Sequence, residues 1–154
     1  MNLVFEKEQC CGCMACEKIC PVKAIKLKKD EEGFWYPNIN KEKCINCGAC
    51  KRVCAFNKEK NSKEENEETV YAVKNKDEEV RKKSTSGGVF NSIAVYVIQN
   101  SGVVYGASMN KNLEVKHART SKKEELEQFY GSKYVQSNIE EVYEQILEDL
   151  KENR

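Results

Sequence analysis

The chain has 154 residues, 33% of them charged and 8% aromatic, with 26 Lys and Arg against 25 Asp and Glu. That length allows one ordinary domain or two small ones, and so even a charge balance argues against nucleic-acid-binding and acidic disordered classes. The N-terminus lacks an apolar signal-peptide core, and the longest apolar stretch, IAVYVI at 93–98, is far short of the roughly 20 residues that span a bilayer. These features predict a cytoplasmic protein with neither nucleic acid nor membrane as partner.

The first element is a repeat. All nine cysteines fall within the first 54 residues, and in a cytosolic protein they read as metal ligands rather than disulfides. Shifting the chain by 34 places lays Cys10, Cys13, Cys16 and Cys20 on Cys44, Cys47, Cys50 and Cys54, and FEKEQC on INKEKC. Two copies of one supersecondary unit are expected. Each run reads C-x2-C-x2-C-x3-C, the bacterial ferredoxin pattern for two 4Fe–4S cubes, in which the fourth cysteine of a run ligates the other cluster. The expected ligand sets are Cys10, Cys13, Cys16 and Cys54 for one cube, and Cys44, Cys47, Cys50 and Cys20 for the other. Zinc sites take four ligands from paired C-x2-C elements and would leave the third and fourth cysteines of each run without a use.

Gly12, Ala15, Gly48 and Ala49 are small enough to let the backbone wrap a cube, and Ile19, Val53, Ile25 and Ile45 are candidates for a dry shell around it. Cys11 breaks the repeat, since Ile45 occupies the matching position. It reads as a small buried filler, or else as a spare thiol able to replace a damaged ligand. Between the runs, EEGFWYPNIN predicts a turn and a short strand, with Trp35 and Tyr36 packing a small core or shielding a cluster. Lys23, Lys26, Lys28 and Lys29 form either a docking face for an acidic redox partner or a solvated hairpin face.

Residues 57–69, NKEKNSKEENEET, have no periodicity and predict a linker. Beyond them the pattern changes. TVYAVKN predicts a strand, DEEVRKK one or two helical turns, STSGG a loop, and VFNSIAVYVIQ a helix with apolar residues at 89, 90, 93, 94 and 97, although its β-branched content leaves a strand open. Gly102 stands where a helix C′ residue would. GVVYGASM and LEVKHART predict consecutive strands, with His117 at the surface and without a companion. Ser121 to Glu124 and Asn138 to Glu141 read as capping boxes. The last helix carries Ile139, Val142, Tyr143, Ile146, Leu147 and Leu150 on one stripe, with no following strand to cover it. The expected fold class is therefore α+β, with a two-cluster domain at 1–56, a linker at 57–69, and an α/β domain at 70–154 that looks incomplete at its C-terminus.

YAVKNKDEEVRKKSTSGGVF, GVVYGASM and EQFYGSKYVQS resemble the N-terminal region of the coenzyme F-420 hydrogenase/dehydrogenase beta-subunit family, with STSGGVF and GSKYVQS the specific segments. The resemblance implies an electron-transfer component of an oxidoreductase from an anaerobe, linking the clusters to a flavin, FAD being the candidate, and unlikely to be catalytic alone. The implied partner is a redox protein or a missing C-terminal region. Ala55 departs from the proline that usually follows the fourth cysteine, which Pro21 keeps. Physically, a Ser/Gly turn running into a helix is a candidate anion cradle, with Ser84, Ser86, Gly87, Gly88 and Lys133 as its residues. The same segment also reads as an ordinary helix start that merely packs. No residue is assigned as catalytic. The alternative function is a free-standing ferredoxin-type carrier whose second domain only docks.

Overall fold

The computed structural model describes residues 7–57 and 69–154. The chain divides into two compact units, Met1–Glu67 and Glu68–Arg154. Their junction falls within the expected linker, of which residues 58–68 lie outside the described residues.

The first unit is built twice over. Helix α1 (Ala15–Lys18) and helix α2 (Ala49–Val53) sit at the same place in each cysteine run and pack against each other. Strand β1 (Ile25–Lys29) pairs antiparallel with β2 (Trp35–Ile39), Ile25 opposite Ile39 and Lys29 opposite Trp35. Asp30 closes the turn: its carboxylate accepts from the backbone of Glu32 and Phe34, while Gly33 supplies the left-handed residue at φ 88°. Pro37 is tolerated because a two-stranded sheet consists only of edges. Among its described residues the buried apolar ones are few, namely Met14, Ala24 and Ile25.

The second unit places helices α3 (Glu78–Lys83) and α4 (Val89–Gln99) before an antiparallel hairpin of β3 (Val104–Met109) and β4 (Val115–Thr120). A 3-10 segment, Lys123–Phe129, then packs on β3 and α4, and α5 (Val142–Lys151) packs on β4. The core is Ala94, Val104, Leu126 and Phe129, with Val95, Val97, Ile98, Ala118 and Tyr130 against it. Of the expected stripe on α4, Ala94 and Val97 thus face the core, while Phe90 and Ile93 remain exposed.

Several local expectations are corrected. TVYAVKN forms no strand. It is tied down by Asn75, whose N–H donates to the Gly87 carbonyl at 2.6 Å and whose side-chain amide donates to Ser92 Oγ at 2.9 Å. Asp77 caps α3 by accepting from the N–H groups of Glu79 and Val80. The end of α4 is a Schellman motif, but the left-handed residue is Ser101, not Gly102. Gly102 comes one place later, donates to Val97 O at 2.9 Å, and must lack a Cβ because one would lie 2.7 Å from Val97 Cγ1. The Ser121 capping box does not form. Thr120, buried, does that work one residue earlier, accepting from Lys122 N–H and donating to the Glu125 carboxylate at 2.6 Å. The Asn138 side chain closes a local turn by accepting from Glu140 N–H rather than capping the helix, and α5 starts after it.

On α5 the apolar stripe is only partly covered: Val142 is buried, while Leu147 and Leu150 stay exposed. What seats the helix is polar. Arg119 of β4 grips the buried Asp149 carboxylate bidentately at 2.6 and 2.7 Å, and Tyr105 of β3 donates to it as well. The guanidinium and the phenol hold the Asp149 carboxyl at about 2. Burial, then the carboxylate, pushes the Tyr105 phenol up to about 12. Because the folded-state value is depressed, the stabilisation is present above the ordinary Asp range near 4 and is lost as pH falls toward 2. Asp149→Asn is expected to lower the unfolding temperature at pH 7, with the gap to the parent protein closing between about pH 4 and 2. A gap that persisted unchanged at the acid end would show that the charge is not what matters.

Candidate functional site

The two cysteine loops share a backbone as well as a spacing. Left-handed residues occur at Gly12 (φ 64°) and Met14 (φ 63°) in the first run, and at Asn46 (φ 55°) and Gly48 (φ 73°) in the second. These are the same two positions of the repeat. Each run gives glycine to one of them and a side chain to the other, so the glycines answer to backbone geometry more than to small size. Left-handed residues alternating with ordinary ones turn successive N–H groups to one side, forming concavities that suit anions and iron–sulfur cores.

Cys10, Cys13 and Cys16 line one concavity together with Cys54, which comes from the far end of the second run. Met14, Leu27, Pro37 and Phe56 complete its wall. Burial, then the neighbouring Cys13 and Cys10, pushes the Cys16 thiol up to about 12, so ionising these thiols together requires positive charge in their midst. Four thiols on one concavity suit a polynuclear core with one thiolate per iron.

In the second run, Cys44 and Cys50 are half-buried and Cys47 is exposed. Burial raises the Cys50 thiol, with lesser contributions from Cys44 and Cys47. Cys20 is half-buried at the end of α1, which packs on the helix bearing Cys50, and its Sγ accepts from Ala24 N–H at 3.2 Å. The donor set of the first concavity fits a four-iron cube, and α1–α2 packing brings the helix preceding Cys20 against the helix bearing Cys50.

The surroundings differ from expectation. Of the four proposed shell residues only Ile25 is buried; Ile19, Val53 and Ile45 are each more than a third exposed. Cys11 is exposed on the rim of the first concavity, so it is no buried filler. A repeat alignment marks it as extra but carries no signal of its burial. Lys26 pairs with Glu17 at 3.0 Å and Lys29 stacks over Trp35 at 5.0 Å, so two of the four lysines are committed within the unit.

The second unit has a cavity of about 200 Å³, lined by Ser84, Ser86 and Gly88 at the start of α4 and by Phe129, Tyr130 and Gly131 opposite. Full ligand pockets occupy roughly 300–1,000 Å³, so it has room for part of a flavin. The segments STSGGVF and GSKYVQS thus meet in space, a pairing that spacing alone could not reveal.

Two predicted residues lie elsewhere. Gly87 faces inward, where an added Cβ would be 2.6 Å from the Val73 carbonyl oxygen. Lys133 spends its ammonium on the carbonyls of Tyr130 (2.8 Å) and Gln128 (3.2 Å), and burial lowers its pKa. His117, expected bare at the surface, is half-buried with Nδ1 2.9 Å from Ser137 Oγ, and burial lowers its pKa. Those contacts, with Asn138 carbonyl accepting from His117 N–H, fasten the GSKYVQS segment to β4. No helix among the described residues is long and apolar enough to cross a membrane.

No curated protein matches the chain. Residues 9–58 match the 4Fe-4S dicluster domain family. Residues 70–144 match the family described as coenzyme F420 hydrogenase/dehydrogenase, beta subunit N-term. The cysteine repeat is thus similar to a 4Fe-4S dicluster domain and the region behind it to the N-terminal part of the coenzyme F420 hydrogenase/dehydrogenase beta subunit, and together the two matches support an iron–sulfur electron-transfer role.

Proposed function

We propose that the chain passes single electrons between two 4Fe–4S clusters and a flavin, FAD, as the electron-transfer part of a beta-subunit-like oxidoreductase. Cys10, Cys13, Cys16 and Cys54 hold one cluster, and Cys44, Cys47, Cys50 and Cys20 the other. Residues 1–56 act as the cluster domain, 57–69 as linker, and 70–154 as the flavin-facing domain, completed by a redox partner or further sequence. A bound flavin would supply the exchange between electron pairs and single electrons.

The observation that carries this reading is the presence of Cys54 beside Cys10, Cys13 and Cys16 in one concavity, the cross-contribution that a two-cluster pattern requires. On the flavin side, Ser86 offers a hydroxyl beside the N-terminus of α4, where N–H groups favour phosphate, while Ser84 lines the same cavity with its hydroxyl donating to the Val80 carbonyl at 2.8 Å. Phe129 and Tyr130 supply the flat apolar wall.

Anaerobic reconstitution with iron and sulfide is expected to give roughly eight irons per chain, four per cube. Tightly bound zinc without sulfide would sink the proposal. FAD released by denaturing gently purified protein supports the flavin half. Its absence favours the second reading, a carrier with a docking module, which the engagement of Lys133 by the Gln128 and Tyr130 carbonyls favours.

A further inference from the structure

The repeat makes the two cysteine runs equivalent in spacing and in backbone, but not in charge. Around the first run stand Glu8, Glu17 and Lys18; at the matching places around the second stand Glu42, Lys51 and Arg52, with Lys43 replacing Gln9. At these places the second run has two more cations and one fewer acid than the first, Lys7 and Lys41 being cationic in both. Lys26 pairs with Glu17 at 3.0 Å and Lys7 with Asp30 at 2.6 Å, and the second run remains the more positive of the two.

Arg52 is the cation held in place. Its Nη1 donates to the Cys47 carbonyl at 3.0 Å, so the guanidinium folds back over the loop from the last turn of α2. The fold-back uses Gly48: a Cβ there would be 3.3 Å from the same Nη1. Lys18 stands at the matching position in the first run, which has Met14 where the second has Gly48. A cluster gains a negative charge on reduction, so a fixed cation nearby favours the reduced form. Apolar walls act oppositely by disfavouring the more negative state, and Leu27, Pro37 and Phe56 line the first concavity.

We propose that Arg52 raises the reduction potential of the centre on the second cysteine run, making it the higher of the two and the place where a transferred electron settles. Arg52 is a positioning residue, not a ligand, and the inference rests on the two-cluster reading above.

The test is an anaerobic redox titration of the reconstituted full-length chain, followed by electron paramagnetic resonance and visible absorption. Two midpoints are expected in the parent protein. Arg52→Gln, which keeps a donor for the Cys47 carbonyl, should lower only the higher one by about threefold in the reduction equilibrium, or about 30 mV for one electron at 59 mV per tenfold. Arg52→Lys should retain most of the parent value. In a Cys13→Ala background, which keeps the second-run centre, the surviving midpoint should be the higher and should move with Arg52→Gln. Lys51→Gln, at an exposed position on α2, provides a variant that folds normally and should move the same midpoint less.

Unchanged midpoints in Arg52→Gln at full iron content would overturn the inference, as would equal shifts in Arg52→Gln and Arg52→Lys. If the parent chain takes up no iron and sulfide, it is the two-cluster reading that fails instead.

Discussion

Replacing Cys54 with alanine is expected to abolish the centre built on the first cysteine run and to spare the one on the second. The expectation runs against sequence proximity, because Cys54 is four residues beyond Cys50 and thirty-eight beyond Cys16. It follows from position: Cys54 leaves α2 extended, at φ −72° and ψ 119°, and its side chain enters the concavity of Cys10, Cys13 and Cys16. Iron content should fall from roughly eight to roughly four per chain in Cys54→Ala and equally in Cys13→Ala. The double variant separates the possibilities. Cys13→Ala with Cys54→Ala should still bind about four irons, because both changes strike one cube, whereas Cys47→Ala with Cys54→Ala should bind almost none. The reverse pattern would place Cys54 with its own run. Loss of a core that ties two parts of the fold together should also lower the stability of the first unit, whose few buried apolar residues give it little else.

Gly87→Ala is expected to destabilise the second unit by about 1–3 kcal/mol, the range for forcing extra atoms into a packed site. An added methyl would meet the Val73 carbonyl oxygen at 2.6 Å and Lys74 Cα at 3.4 Å, both backbone and neither able to rotate away. The bond from Asn75 N–H to the Gly87 carbonyl would be displaced with them. Urea unfolding followed by far-ultraviolet circular dichroism should show the loss, while iron content stays at the parent level. Where flavin is retained by the parent protein, the variant should retain less, since Gly88 and Ser86 beside it line the cavity. Parent-like unfolding would show that the 69–75 segment does not bear on Gly87.

The glycine pair illustrates what a motif can and cannot say. A Ser/Gly turn before a helix reads as a place where a ligand comes close to the backbone. In the fold, Gly87 is instead approached by the protein's own chain, and Gly88 is buried in a left-handed conformation at φ 72°. The composition is the same in either case, because glycine answers to any close approach. Lys133 is similar. A cation beside an anion cradle is a natural pairing on paper, yet two nearby carbonyls hold its ammonium.

Periodicity located α3, α4, β3, β4 and α5 because each is a local pattern of apolar and polar residues. Of the expected stripe on α4, Ala94 and Val97 do face the core, but the larger Phe90 and Ile93 stay exposed and Ile98 packs on the core as well. Hydrophobicity orders residues by what they gain from burial, not by which neighbours arrive to bury them. Both capping boxes failed for a related reason. Thr120 lay one residue upstream with a better reach to Glu125, and Asn138 closed a turn before the helix began.

What the sequence by itself determined is the chemistry of the thiols and their repeat. Ligand spacing along a short loop is a local property, and the 34-residue shift copies it together with the left-handed backbone positions. What only the tertiary structure decided is the company each group keeps: Cys54 beside the first run, Cys11 on the rim, Arg52 over the second loop, Asp149 clasped by Arg119 and Tyr105, and the two signature segments facing one cavity. Most of those meetings join residues far apart in the chain, where spacing carries no information and packing alone selects the partner; Cys11 and Arg52 are local cases in which burial and side-chain direction had to be seen.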